Sequence, residues 1–506
     1  MTPTTRKFYV TTAIDYANGE PHLGHAFEKI GADCVARYHR LRGEPVHFVI
    51  GMDEHGQKVA QAAEEAGAEP QAWVDGIAER FRVAWDELGI SHDDFIRTTE
   101  ARHARAVQEL FRRIRERGHI FEGVYSGYYC VGCEAFKLEK DLDDQGRCPI
   151  HPSREIKWVE EPNFFFRLSA FGPWLLERYA AHPDFVRPAA KMNEIRNVVA
   201  DGLQDISVSR ARVPWGIPWP DDPDHTVYVW FEALTNYLSA TGFPDASYTE
   251  LWPADLHIIG PDIVRFHAAL WPAMLEAAGL EPPRGVWCHG WVNLAGARFS
   301  KSAGVHLTLR EAIDRHGPDA LRYFLLREVP WDGDGTFSLE RFDVRYTADL
   351  ADGYGNLVSR VLAMIERYLD GTVPPYAADT DLDRARTTTL ERYVAAMDGH
   401  LLHDGAARAL ELVADANAFI EARAPWALAK AGNRAALAET LGALAATLAA
   451  ITAMLTPFLP GKTATVCRAL GRDAADVSLV TTEMRGVSGN RVRKIPPLFP
   501  KPPAAA

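Results

Sequence analysis

Pro21-His22-Leu23-Gly24-His25 stands where a strand gives way to a helix, and its reading decides the fold. Before it runs Phe8-Tyr9-Val10-Thr11-Thr12-Ala13-Ile14, an apolar, β-branched and aromatic stretch that predicts a buried first strand. After it, Leu23, Phe27, Ile30, Val35, Tyr38 and Leu41 recur at helical spacing. Asn18-Gly19 supplies turn chemistry, Pro21 suits a first helical turn, and Gly43 suits the C-terminal cap. His22 and His25 fall on one face at the helix start, and Gly24 between them lets a bulky ligand approach the backbone. A helix N-terminus favours anions, so two added imidazoles make a phosphate site. On these residues alone, helix capping or metal ligation fits the pair equally well.

The 506 residues are enough for two to four domains, and 47% hydrophobic with 24% charged residues is a globular composition. The run 441–455 is expected to be too short and too rich in Ala and Thr to cross a bilayer, and the first residues form no secretory leader. A soluble cytoplasmic protein is expected. The net charge of −13 argues against a generally basic nucleic-acid binder, although a local basic surface would serve to hold phosphates.

Val46-His47-Phe48-Val49-Ile50 predicts a second strand, followed by the loop Gly51-Met52-Asp53-Glu54-His55-Gly56 and a helix from about Gln57. Asp53 would face a ligand at the sheet's carboxyl edge and could hold an ammonium group, but by spacing alone Asp53 and Glu54 fit better as a helix cap. Cys130-Val131-Gly132-Cys133 and Cys148-Pro149-Ile150-His151 have the spacing of a zinc knuckle. Three thiolates and an imidazole fill a tetrahedral ion's coordination, so a structural metal is expected. Thr226-Val227-Tyr228-Val229-Trp230-Phe231 reads as a strand leading into a helix with Tyr237. His257-Ile258-Ile259-Gly260 reads as strand and turn, and Val286 to Val292 as a further strand. After Phe337 the texture is helical, as in a bundle, and the Pro-rich tail near Phe499 is expected to pack back on the body.

A glycine-flanked stretch, Arg298-Phe299-Ser300-Lys301-Ser302, partners the opening motif. Together the two resemble the HIGH and KMSKS signatures of class I aminoacyl-tRNA synthetases. Further motifs narrow the resemblance to the methionyl-tRNA synthetase family over nearly the whole chain: Tyr16-Ala17-Asn18-Gly19, the 51–56 loop, the cysteine knuckle, Tyr228-Val229-Trp230-Phe231, Phe266-His267, Asn356-Leu357-Val358-Ser359-Arg360 and Ala424-Pro425-Trp426. The first signature carries Asp15 where proline is common in the family. The second carries Phe299 in place of methionine, and Pro261 stands where lysine or a similar residue is common.

The resemblance implies an α/β fold: a Rossmann-like parallel-sheet catalytic domain (1–118 and 223–306) split by a zinc-knuckle insertion (119–222). A stem-contact region (307–346) and an α-helical anticodon-binding domain with the tail (347–506) would follow. It implies methionine–tRNA ligation through methionyl adenylate, with ATP, L-methionine and tRNA-Met as partners, structural Zn2+, Mg2+ with ATP, and no membrane. The chain lacks the C-terminal extension that dimerises some members, so a monomer is expected. His22, His25 and Lys301 would be catalytic, and Gly24, Arg298, Ser300 and Ser302 would join them in binding ATP. Ala13, Ile14, Tyr16, Asp53, Trp230, Ala233, Tyr237, Ile263 and His267 would bind methionine, Asp53 now as the ammonium anchor. Asn356, Arg360 and Trp426 would read the anticodon, and Cys130, Cys133, Cys148 and His151 would hold zinc. The departures at Asp15, Pro261 and Phe299 admit two alternatives, a non-catalytic tRNA-binding paralogue and a stand-alone adenylate-forming ligase.

Overall fold

A computed structural model describes residues 6–130, 135–137, 139–152, 156–211, 213, 215–220, 222–294, 297–298, 307–377, 379–479 and 486–501. The chain forms two compact units. The first comprises Met1–Pro21, His47–Ala84 and His92–His289, and the second His22–Val46, Trp85–Ser91 and Gly290–Ala506.

In the first unit the apolar runs become a parallel sheet. Its strands are β1 (Phe8–Thr12), β2 (Asp15–Tyr16), β3 (Val46–Asp53, of which the unit holds all but the first residue), β4 (Asp94–Arg97), β5 (Val186–Arg187), β6 (Leu256–Ile259) and β7 (Val286–Cys288). β1 lies between β3 and β6; β4 borders β3, and β7 and then β5 continue beyond β6. The register pairs Val10 with Leu256, His257 with Val286, and Val49 with Asp94. β6 and β7 are buried along their whole length, as strands covered on both faces must be. The chain lays strands first to one side of β1 and then to the other. This reversal opens a crevice beyond the carboxyl ends of β1 and β6, the place where such sheets bind ligands.

An antiparallel hairpin, Ile120–Cys130 against Ile156–Phe166, pairs in register from Ile120↔Phe166 to Cys130↔Ile156. The stretch 119–222 does not lie wholly apart from the parallel sheet, because β5 within it pairs with β7. Leu175, Tyr179, Val186 and Ile195 from the same stretch enter the core of the first unit, where their apolar area is best removed from water. Two strand readings need correction. Strand Asp222–Val227 stops before Tyr228, and Val229–Ala233 is helical, the Glu232 N–H donating to the Tyr228 carbonyl at 3.0 Å. A short apolar and aromatic run carries no period that separates strand from helix. The second is the run from Val286, which breaks after Cys288. Val292–Leu294 pairs instead with Gly335–Phe337 in a small sheet of the second unit. Gly290 lies at the break because a Cβ there would come within 1.9 Å of the Gly333 carbonyl oxygen.

The second unit holds the signature helix, Leu23–Leu41, which ends at Arg42, with Gly43 beyond it at φ +76°. Pro21 precedes the helix, and His22 is its N-cap. Asp33 on this helix is buried with Arg322, whose Nη2 donates to Asp33 Oδ2 at 2.7 Å and to the Pro457 carbonyl at 2.8 Å. Arg37 Nε donates to the same carboxylate at 2.7 Å. Burial alone would raise the Asp33 pKa, but Arg322 and Arg37 outweigh it and hold the group at about 2. A bundle follows, with Asn356–Leu369, Asp381–Asp398, Leu402–Arg423 and Arg434–Leu455 as its long helices. The last of these is longer than the apolar run foretold. By length and composition it could cross a bilayer, with a window of mean hydropathy 1.6, yet 89% of that window is buried inside the protein. It is a core helix. The tail packs back as expected: Phe499 is buried, and the Tyr346 hydroxyl donates to the Pro500 carbonyl at 2.7 Å.

Candidate active site

His22 ends the extended chain at φ −132° and caps the signature helix with its own ring. Its Nδ1 accepts the N–H groups of Gly24 at 3.1 Å and His25 at 3.4 Å. Nδ1 of His25 accepts the His22 N–H in return at 3.4 Å, and the two rings stack with centroids 3.6 Å apart. A ring nitrogen that accepts carries no proton, so in each neutral imidazole the proton sits on Nε2. Helix capping and phosphate binding are therefore not competing readings. The cap sets the tautomer that makes each Nε2 a donor, next to the positive end of the helix dipole.

Part of the expected methionine set stands at the carboxyl ends of strands in the first unit's sheet. Ala13 and Ile14 follow β1, Asp53 ends β3, and Ile263 follows β6. Ala13, Ile14, Tyr16, Trp230 and Ile263 all pack, half-buried, against the hydrophobic core that contains Tyr237. Trp230 and Phe266 stack at 4.9 Å. His267 is held through both nitrogens: Nδ1 donates to the Ile263 carbonyl at 3.0 Å, and Nε2 meets the Tyr237 hydroxyl at 2.6 Å. With the proton of the neutral ring on Nδ1, the Tyr237 hydroxyl is the donor. Asp53, Ala233, Tyr237 and His267 are buried. The result is an aromatic and aliphatic wall with a carboxylate in the same unit, suited to a flexible thioether bearing an ammonium group.

Sequence reasoning missed the polar frame behind this wall. His55 donates from Nδ1 to Glu232 Oε1 at 2.8 Å, and Nε2 of His103 lies 3.2 Å from Glu232 Oε2. Burial alone would raise the Glu232 pKa, but His55 and His103 outweigh it and lower it. Burial opposes protonation of His55, yet Glu232 prevails and raises its pKa. Glu54 is clamped by Arg97 at 2.6 Å, and its carbonyl accepts from the Trp215 indole at 2.6 Å. A lone acid in an apolar run was the only signal available for Glu232.

Cys130, Cys148 and His151 bring their ligand atoms within 4.8 Å of one another, a spacing that one metal ion can bridge. Cys130 ends a hairpin strand, and the His151 N–H donates to the Cys148 carbonyl at 3.1 Å, the tight turn that two-residue spacing requires. Both cysteines are buried, as suits a closed structural site. Cys133 lies outside the described residues.

In the second unit Asn356 opens its helix in an exposed position, and Arg360 donates to Glu421 at 2.5 Å on the last turn of Leu402–Arg423. Trp426 follows the left-handed turn at Ala424 and is 45% exposed, unusual for so large an apolar ring. Arg298 lies on the short strand Ala297–Arg298. Ser300, Lys301 and Ser302 fall outside the described residues, as does Phe299.

A nucleotide-type parallel sheet, a histidine-capped signature helix and an α-helical bundle define a class I aminoacyl-tRNA synthetase. The family model for tRNA synthetases class I (M) matches residues 8–158 and 151–362, and the chain belongs to that family. It is 42% identical over 471 residues to the methionine–tRNA ligase of Thermotoga maritima, covering 91% of this chain and 75% of that one. It is 39% identical over 521 residues to the methionine–tRNA ligase of Streptomyces coelicolor, covering 98% and 97%. The solved structure of Mycobacterium tuberculosis methionyl-tRNA synthetase in complex with methionyl-adenylate is similar at TM-score 0.91 and 39% identity, covering 98% of this chain and all of that one.

Proposed function

We propose that this chain is a methionine–tRNA ligase, forming methionyl adenylate from ATP and methionine and passing methionine to tRNA-Met. The observation that carries the reading is the packing of Ile14, Tyr16, Trp230 and Ile263 against the core that contains Tyr237, with His267 bonded to both Tyr237 and Ile263, in the unit whose strand β3 ends at Asp53. The relatives named above act under that description at about 40% identity over nearly the full chain.

In this reading Asp53 holds the ammonium group, and the wall holds the thioether. The methionine carboxylate attacks the α-phosphorus of ATP, an oxygen–phosphorus bond forms as the bond to pyrophosphate breaks, and pyrophosphate leaves. Donors from Nε2 of His22 and His25 and the ammonium of Lys301 meet the charge that grows on the phosphate oxygens. Fixed placement of the two substrates supplies much of the rate. A ribose hydroxyl of the terminal adenosine of tRNA then attacks the activated carbonyl, and AMP leaves. Cys130, Cys133, Cys148 and His151 would hold zinc, which would supply a structural cross-link to the hairpin. Asn356, Arg360 and Trp426 offer an amide, a guanidinium and a stacking face to an unstacked RNA loop. The chain works in the cytoplasm as a monomer, its active site built from one copy.

Methionine-dependent exchange of pyrophosphate into ATP tests the first step, and charging of tRNA-Met against a tRNA with an altered anticodon tests the second. Absence of exchange above background overturns the catalytic reading.

A further inference from the structure

Glu232 has no part in the reaction just described, yet it is fully buried and bonded from two sides. Removing a carboxylate from water costs several kcal/mol, a cost that packing alone does not require. Its partners explain it. His55 lies two residues beyond Asp53, and its carbonyl accepts the Tyr16 hydroxyl at 3.2 Å. Glu232 itself lies on the five-residue helix Val229–Ala233, which carries Trp230 and Ala233. His103, on the helix Ala101–Glu116, reaches Ser239 Oγ at 2.9 Å, and Ser239 closes the short helix that carries Tyr237. One chain of polar contacts thus joins the loop of the ammonium anchor to both short helices of the side-chain wall.

Helices of four or five residues have little stability of their own, and apolar contacts are non-directional. A bidentate carboxylate between two histidines sets distances that such contacts leave loose. We propose that Glu232 is a positioning residue that sets the separation between Asp53 and the Trp230–Ala233 wall, and so the side-chain length of the amino acid that is accepted. The inference rests on the methionine-pocket reading above.

Glu232→Gln keeps the volume and gives up the charge and one of the two histidine bonds. In pyrophosphate exchange, the KM for methionine rises about tenfold while kcat and the KM for ATP stay within about twofold. The preference for methionine over ethionine, longer by one methylene, falls at least about fivefold. Methyl propyl sulfide, a thioether without an ammonium group, touches the wall alone, and its inhibition constant stays unchanged. His55→Leu, which carries no donor, cuts the same chain from the loop side and produces the same selective shift, which provides the test if Glu232→Gln does not fold. Equal weakening of sulfide and methionine together with loss of kcat marks a merely structural role and overturns the proposal, as does an unchanged methionine-to-ethionine ratio. Asp53→Asn and Trp230→Ala report on the underlying reading. If neither moves the KM for methionine, the pocket has been misassigned and the proposal falls with it.

Discussion

Nδ1 of His22 accepts the backbone N–H of Gly24 at 3.1 Å, and a Cβ added at Gly24 would stand 3.0 Å from Cε1 of that same ring. The glycine therefore serves the histidine as well as the ligand. Its missing side chain leaves room for the ring to fold back over the helix start and accept its N–H groups.

Gly24→Ala follows from that contact. Alanine favours the helix by about 0.5–1 kcal/mol, about what loss of the cap costs, so thermal stability stays nearly unchanged. The methyl group displaces the His22 ring, and the cap and its tautomer are lost. Pyrophosphate exchange then falls by about 10–100-fold, while the KM for methionine stays the same. Exchange kinetics beside a thermal melt check both halves, and an undiminished exchange rate counts against this account.

Asp33 and Arg322 supply a second case, in which stability is at stake. Asp33→Asn leaves the Arg322 guanidinium buried without its countercharge and costs about 3–5 kcal/mol, measured by urea unfolding at neutral pH. The pH dependence has a fixed sign. Asp33 is depressed from 3.8 to about 2, so its contribution is complete above pH 3.8 and is lost as the pH falls toward 2. In that window the wild-type chain loses roughly 2 kcal/mol that Asp33→Asn does not lose. Parallel pH slopes for the two proteins contradict the assignment.

Tyr237→Phe removes only the hydroxyl that donates to His267 at 2.6 Å. A buried imidazole nitrogen left without its donor costs about 1–3 kcal/mol. His267 is fixed on its other side by the Ile263 carbonyl, so the loss appears as a shifted ring in the pocket wall. The expected result is a methionine KM raised about tenfold or more with the ATP KM unchanged. Steady-state exchange with each substrate varied in turn decides it.

Where local pattern and tertiary packing agree, the fold was legible in the residues. Phe8-Tyr9-Val10 and the stripe from Leu23 to Leu41 read correctly because a continuous apolar run and large apolar residues at helical spacing leave different periods, even though the helix is buried on nearly every side from Ala26 to Ala36. Thr226 to Phe231 misread because six consecutive β-branched and aromatic residues satisfy either pattern, and the switch at Tyr228 depends on contacts made elsewhere. β5 was invisible for a related reason, since two residues among helices carry no strand signal of their own. Residues with a type-specific chemistry, such as Cys130, Cys148 and His151, could be paired by spacing alone. Glu232 could not, because its meaning comes from His55 and His103, which lie 177 and 129 residues away.

The knuckle offers the last test. Cys130 stands at the loop end of the hairpin, opposite Ile156, where the ladder Ile120–Cys130 against Ile156–Phe166 stops. A metal ion there ties that end to the turn at Cys148 and His151, and structural zinc contributes ~10–16 kcal/mol of apparent binding free energy in peptides at neutral pH. Elemental analysis of the purified protein should find one zinc per chain, reduced by Cys148→Ser. Chelation frees the 139–152 segment, which then becomes the first site of limited proteolysis. Pyrophosphate exchange falls less than tRNA charging, because the helices Val229–Ala233 and Asn236–Ser239, with Ile263 and His267, build the methionine wall without any knuckle residue. Equal loss of both activities on chelation would show that the ion supports the amino acid pocket directly, contrary to a cross-link confined to the hairpin.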